Sequence, residues 1–345
     1  MNVSLMVWVV TCVVILGLFV FDFFAHVRVP HEPTFKESAI WSSVYIGLAA
    51  VFGFVVWWLW GGEFAGEYFA GYVTEKALSV DNLFVFTVIM ATFAVPRAFQ
   101  QKLLLMGIVM ALVMRAAFIA VGAAAISTFS WVFYIFGIFL VLTAVKLARE
   151  AGHEKEVEEE RDSRIIALVR RFVPTTDDYH GDKFLAKVGG KRVVTPMLLA
   201  LIAIGFTDIL FALDSIPAIY GLTEEPYIVF TANAFALMGL RQLYFLIGGL
   251  LERLVYLSQG LAVILAFIGI KLVLHALHVN EVPFINGGEP ILWVPEIPIW
   301  FSLVFIGATV AVATIASLAK TRGDAAKADR GQVEGHPITK APDSH

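Results

Sequence analysis

Nine stretches of this 345-residue chain are long and apolar enough to cross a lipid bilayer, and they constrain the fold more than any single motif. They lie near 3–22, 40–60, 65–92, 100–124, 130–148, 196–220, 227–250, 254–277 and 298–319. Each approaches or exceeds the ~20 residues a helix needs to span the hydrocarbon core. The bilayer interior offers no water to an open backbone, so the spans must be helical. With 59% hydrophobic and 16% charged residues, the chain also lacks the polar surface of a soluble enzyme; soluble domains average ~45–50% apolar and ~25% charged. The fold class is an all-α integral membrane protein with about nine transmembrane helices. The first stretch is longer than a signal-peptide core and no Lys or Arg precedes it, so it reads as a retained span.

Lysines and arginines set the orientation. Arg28, Lys36, Arg97, Lys102 and Arg253 fall in one set of loops, and ten basic residues lie between Arg149 and Arg192. The alternate loops, near 61–64, 125–129, 221–226 and 278–297, hold none. The N-terminus is therefore expected outside and the C-terminus in the cytoplasm. The organisation reads as two spans in 1–64, three in 65–148 and a cytoplasmic loop over 149–195. Three more spans follow in 196–277, then an external loop and last span in 278–322, and a disordered cytoplasmic tail over 323–345.

The informative residues are ionisable groups inside the spans, where a central charge costs at least ~2.5–3.5 kcal/mol and so pairs or faces a cavity. Thr74-Glu75, followed six residues later by Asp81-Asn82, is matched by Thr207-Asp208, followed six later by Asp214-Ser215. Arg115 is answered by Arg241, and Lys146-Leu147 by Lys271-Leu272. Three helices with charges in one order occur twice, in spans 3–5 and 6–8. An odd number of spans per unit makes this an inverted-topology repeat, an architecture of secondary transporters with a midplane site. The competing reading is a set of paired charges that only fixes helix register, yet buried pairs are a poor route to stability.

Six residues turn a helix through ~600° and raise it ~9 Å, so Glu75 and Asp81 cannot share one ion on an unbroken helix. Either a helix is interrupted or each carboxylate meets partners from the other repeat. Pro217 offers an interruption that would free the Leu213 carbonyl beside Asp214 and Ser215. A simple kink is the alternative. The donors are all hard oxygens, suited to Mg, Ca or Mn, and Arg115, Arg241, Lys146 and Lys271 could balance the acids when the site is empty. Cys12, the lone cysteine, excludes a cysteine-based metal site. No phosphate-binding loop, His-Glu-x-x-His or nucleophile elbow occurs, so no enzyme activity is expected. A net charge of −4 carries no nucleic-acid signal, and nothing in the sequence speaks to oligomeric state.

The stretches from Glu67 to Phe84 and from Phe206 to Ile219 closely resemble the paired signatures of the TerC family, and the segments around Arg115 and Arg241 resemble its fourth and seventh spans. The resemblance runs from about residue 20 to residue 277, nearest the Alx-like branch. It implies a multi-pass protein of the bacterial inner membrane, in a family named for tellurium resistance and associated with manganese(II) export. The family residues at matching positions are Glu75, Asp81, Asn82, Asp208, Asp214 and Ser215, with Glu67 as an outer addition. Ala77 stands where the family pattern has serine, a change of packing more than of chemistry.

Two functions follow as expectations. The first is a secondary exporter of Mn2+ driven by proton or sodium entry, with no permanently bound cofactor and with the metal ion and the lipid bilayer as its partners. The second is a membrane scaffold or biogenesis factor that acts through loop 149–195 and the tail. For the topology itself, reporter fusions after residues 60, 175 and 345 are expected to read outside, inside and inside; a reversal at 175 would also break the inverted repeat.

Overall fold

Capping residues and prolines punctuate the helices. Ser4 Oγ accepts from the Val7 amide, and Thr34 Oγ1 from that of Glu37, which places a carboxylate at the start of the second helix. Pro196 and Pro226 sit in first turns, where a missing N–H costs nothing. The computed structural model describes residues 1–27, 31–150, 175–176, 178–188, 190–247 and 256–334.

The order is α1 (Leu5–Asp22), a π turn (Phe23–Val27), α2 (Phe35–Trp60), α3 (Gly62–Thr92), α4 (Arg97–Thr128) and α5 (Val132–Glu150). A two-stranded antiparallel hairpin follows, β1 (Leu185–Val188) and β2 (Lys191–Val194). Then come α6 (Pro196–Tyr220), α7 (Pro226–Leu237), α8 (Leu240–Ile247), α9 (Leu257–His278) and α10 (Ile299–Glu334).

Among the described residues, 8 stretches are long and apolar enough to cross a membrane, and α7 with α8 makes one of them. The ninth expected span is α3. Its acids and Lys76 dilute its apolar character, yet it runs unbroken for 31 residues and packs against α2, α6, α7 and α10. Protein rather than lipid surrounds its polar face, which is the arrangement intramembrane charges require.

Two expectations need correcting. The helix interruption is not at Pro217, because α6 stays helical through that residue to Tyr220. Pro217 lies within the last turn of α6, so its lost hydrogen bond to Leu213 does not unwind the helix. The break lies instead in the seventh span. There Met238 is extended and Gly239 takes φ +76°, a left-handed conformation that separates α7 from α8. A Cβ on Gly239 would come within 2.9 Å of Tyr45 Cβ, so glycine is also needed for contact with α2. The other is the tail: α10 continues to Glu334, past the expected end of the last span, because Ala, Lys and Arg over 325–330 favour helix.

The hairpin was unforeseen in loop 149–195, and the segment leading into it docks on the turn after α3 and on the first turns of α4. Tyr179 Oη donates to the Phe93 carbonyl at 2.7 Å, and Lys102 Nζ donates to Asp182 at 2.7 Å. The lysine holds the Asp182 carboxyl below the usual carboxylate range. The charge run 154–160 lies outside the described residues.

The most extensive contact between helices joins α5 and α9. A Cβ on Gly137 would lie 2.8 Å from the Gly269 carbonyl oxygen, and one on Gly269 would lie 2.8 Å from that of Gly137. Val141 and Val273 flank the contact in the same reciprocal way. Such reciprocity is what a two-fold axis between these helices would produce. Gly137→Val and Gly269→Val should each lower stability in detergent by about 1–3 kcal/mol through overpacking. Both intrude on the same contact, so thermal melts of the double variant should show less than the sum.

Candidate functional site

Glu75, Ser79 and Asn82 share one face of α3 at helical spacing, and Asp208 and Ser215 share one face of α6. Both faces meet Arg115 of α4, a side chain with 0% exposure. The guanidinium binds Glu75 through Nη1. It grips Asp208 as a fork, Nη2 to Oδ1 at 3.0 Å and Nε to Oδ2 at 3.4 Å. Nη1 also lies 3.3 Å from Ser215 Oγ. With the Asn82 amide turned to satisfy both its ends, its oxygen accepts from Nη2 at 3.2 Å and its nitrogen donates to the Leu78 carbonyl.

Of the six principal site residues expected, four therefore surround Arg115: Glu75, Asn82, Asp208 and Ser215. Asp214 does not join them. It lies six residues beyond Asp208, on another face, and accepts from Thr143 Oγ1 of α5 at 3.1 Å, with Lys146 close by. The side chain of Asp81 lies outside the described residues. Two carboxyl groups face one guanidinium in a fully buried centre. Glu75 Oε2, Thr74 Oγ1, Ser79 Oγ and Thr207 Oγ1 are buried there or alongside without a hydrogen-bond partner. Among the described residues, no three His, Cys, Asp or Glu side chains already converge as a metal cage. The position a cation would take between Glu75 and Asp208 is held by Arg115.

Two further cationic side chains, Lys76 and Arg241, find partners away from this centre. Lys76 Nζ donates to the Ala236 and Met238 carbonyls at 2.9 and 3.3 Å, capping the open end of α7 at the helix break. Arg241 faces Asp22 at 2.8 Å and Gln101 at 2.6 Å rather than the acids of the repeats. Asp22 was missed because it sits at the end of the first apolar stretch and has no counterpart in the repeat.

Glu67 lies toward the N-terminal end of α3, accepts from Thr223 Oγ1 and has Lys271 nearby. It lines a cavity of about 650 Å3 with Glu63, Glu224, Glu225 and Lys271. The His275 hydrogen bond holds the Glu224 carboxyl below the usual range. A second cavity, of about 620 Å3, opens between Glu32, Arg97, Gln100 and Tyr244 at the other end of the bundle.

The sequence matches the integral membrane protein TerC family over residues 60–325. An uncharacterized membrane protein of Mycobacterium tuberculosis (strain ATCC 25618 / H37Rv) is 53% identical over 95% of this chain and 83% of its own length. One from Myxococcus xanthus is 43% identical over 71% and 76%. The "Putative membrane-bound redox modulator Alx" of Escherichia coli (strain K12) is 39% identical over 72% and 78%. No solved structure matches the chain.

Removing Arg115 strands two buried carboxylates, which costs about 3–5 kcal/mol for a broken buried pair. Purified Arg115→Gln should therefore melt well below the wild type without metal. Added Mn2+ should raise its melting temperature more than that of the wild type, since the variant lacks the resident cation.

Proposed function

Since the chain belongs to the TerC family of integral membrane proteins, we propose that it exports a divalent metal ion, Mn2+ foremost, from the bacterial cytoplasm in exchange for protons or sodium ions. The observation that carries this reading is the pair of fully buried carboxylates, Glu75 and Asp208, brought from two helices to one arginine. A buried ion pair with surplus charge is an expensive way to hold helices together, but it suits a centre that exchanges one cation for another.

Arg115 acts as the resident cation of the empty state. Cargo enters as the guanidinium withdraws, and Glu75, Asp208, Asn82 and Ser215 then present carboxylate, amide and hydroxyl oxygens to the metal. Asp81 and Asp214 serve the neighbouring stages of its passage, and the Leu213 carbonyl contributes no more than helix backbone. Hard oxygen donors suit Mn2+ and disfavour Cu+. Mg2+ sheds water reluctantly and demands octahedral geometry, whereas Ca2+ accepts six to eight oxygens, so Ca2+ competes better than Mg2+. The glutamate-lined cavity at the outer end is the exit, and its acids draw the departing dication outward. The N-terminus lies outside and the chain sits in the inner membrane. Cys12, the chain's single cysteine, gives it no thiol pair, so any influence on redox balance runs through metal supply rather than through its own disulfide chemistry.

The test is transport in vesicles of the purified protein with a trapped Mn2+ indicator. Wild type should move Mn2+ under a proton or sodium gradient, and excess Ca2+ should inhibit more than equal Mg2+. Glu75→Gln and Asp208→Asn should reduce the flux to background while the amount of folded protein stays near normal. Absence of Mn2+ movement under either gradient overturns the reading in favour of a scaffold role.

A further inference from the structure

The second buried charged centre of the molecule lies away from Glu75 and Asp208. Three donors converge on one oxygen of Asp22: Tyr45 Oη at 2.8 Å, Arg241 Nη2 at 2.8 Å and Gln242 Nε2 at 3.0 Å. His26 Nδ1, one turn along, stands 3.3 Å from that same oxygen. The His26 side chain is only 7% exposed, and Nδ1 makes no hydrogen bond. The other charged groups facing this centre are Arg241 from α8 and Glu37 from α2, with Tyr45 also on α2; α4 contributes the neutral Gln101. His31 pairs with Glu37 at the edge of the cluster.

Two narrow cavities of about 10 Å3 meet at Arg241 and Gln242. One reaches His26, Glu37 and Pro33; the other reaches Asp22, Tyr45 and the break at Met238–Gly239. Each is at the lower limit for holding one water, ~10–15 Å3. Arg241 lies two residues beyond Gly239, and the carbonyls opened at that break are those taken by Lys76, next in sequence to Glu75.

We propose that Asp22, with His26 beside it, is the proton-binding site through which counter-transport is coupled to the metal centre. The proposal rests on the exporter reading above. In this structure the Asp22 carboxyl is paired to Arg241 at 2.8 Å. A proton given up by hydronium on the outer side forms an O–H bond on Asp22 and cancels its charge, leaving Arg241 buried without a counter-charge, which is costly enough to drive the arginine away. Its helix α8 is free to follow because Gly239 is the hinge. The proton leaves through the cavity toward Glu37 to water at the cytoplasmic face, the O–H bond breaks, and Arg241 returns to the carboxylate. The moving element is the one whose break Lys76 caps, so proton release and rearrangement beside Glu75 are a single event.

Vesicles holding the full chain, with a trapped pH dye and a trapped Mn2+ indicator, test this. In wild type, Mn2+ flux should be accompanied by opposite proton movement. Asp22→Asn should lose Mn2+-dependent proton movement while still letting Mn2+ equilibrate down its gradient, at a reduced rate that no longer varies with pH. Tyr45→Phe, which keeps the carboxylate but removes one donor to its charged form, should shift the pH profile of transport upward, and it serves if Asp22→Asn does not fold. Proton movement at the wild-type rate in Asp22→Asn, or an unshifted profile in Tyr45→Phe, overturns the proposal. Wild type that moves Mn2+ with sodium and no protons overturns it while leaving the exporter reading intact. Wild type that moves no Mn2+ overturns that reading, and this one with it.

Discussion

The rest of the structure is organised around one guanidinium. Arg115 has no contact with water, and burying an ion of that size costs several kcal/mol unless partners surround it. Glu75 and Asp208 supply those partners from α3 and α6, so three helices must meet in a single register. A slip by one residue would carry a carboxylate to another helix face and strand the charge. The apolar helices tolerate lipid on nearly any face; α3 does not, and its placement inside the bundle follows from its charges.

The two arginines matched in sequence are used differently. Arg115 lies on an unbroken helix and holds acids of α3 and α6. Arg241 lies just beyond a break and is held by Asp22, a residue of the first helix. This asymmetry suits exchange between two states, since Arg241 sits beyond a hinge, whereas Arg115 gives up its position only when the cargo's charge replaces its own. Lys76 belongs to the same logic, because its amine occupies backbone carbonyls that a free cation could otherwise take.

Much of this was legible in the sequence, and the failures share a cause. The spans could be read because twenty apolar residues have few other uses, and Glu75, Asn82, Asp208 and Ser215 could be read because polar groups at membrane depth need company. The separation of Asp214 from Asp208 was implicit in their spacing of six. Pro217 misled because a proline weakens a helix only where later turns depend on its hydrogen bond, and here almost none do. Gly239 stayed hidden because an apolar run continues across it and nothing local announces the left-handed turn; the close face of Tyr45 demands it. The partnership of Asp22 with Arg241 spans more than two hundred residues and obeys no period. The close approach of α5 and α9 was likewise hidden, because it depends on the two glycines, Gly137 and Gly269, that let their backbones touch.

The central claim is that the cation position between Glu75 and Asp208, filled by Arg115 in this structure, is where a divalent ion binds. Electron paramagnetic resonance of Mn2+ titrated onto the purified chain reads that position directly. The account predicts a saturable bound signal in wild type that is lost from both Glu75→Gln and Asp208→Asn, each shown to be folded. Retention of bound Mn2+ with unchanged affinity in those variants would contradict it.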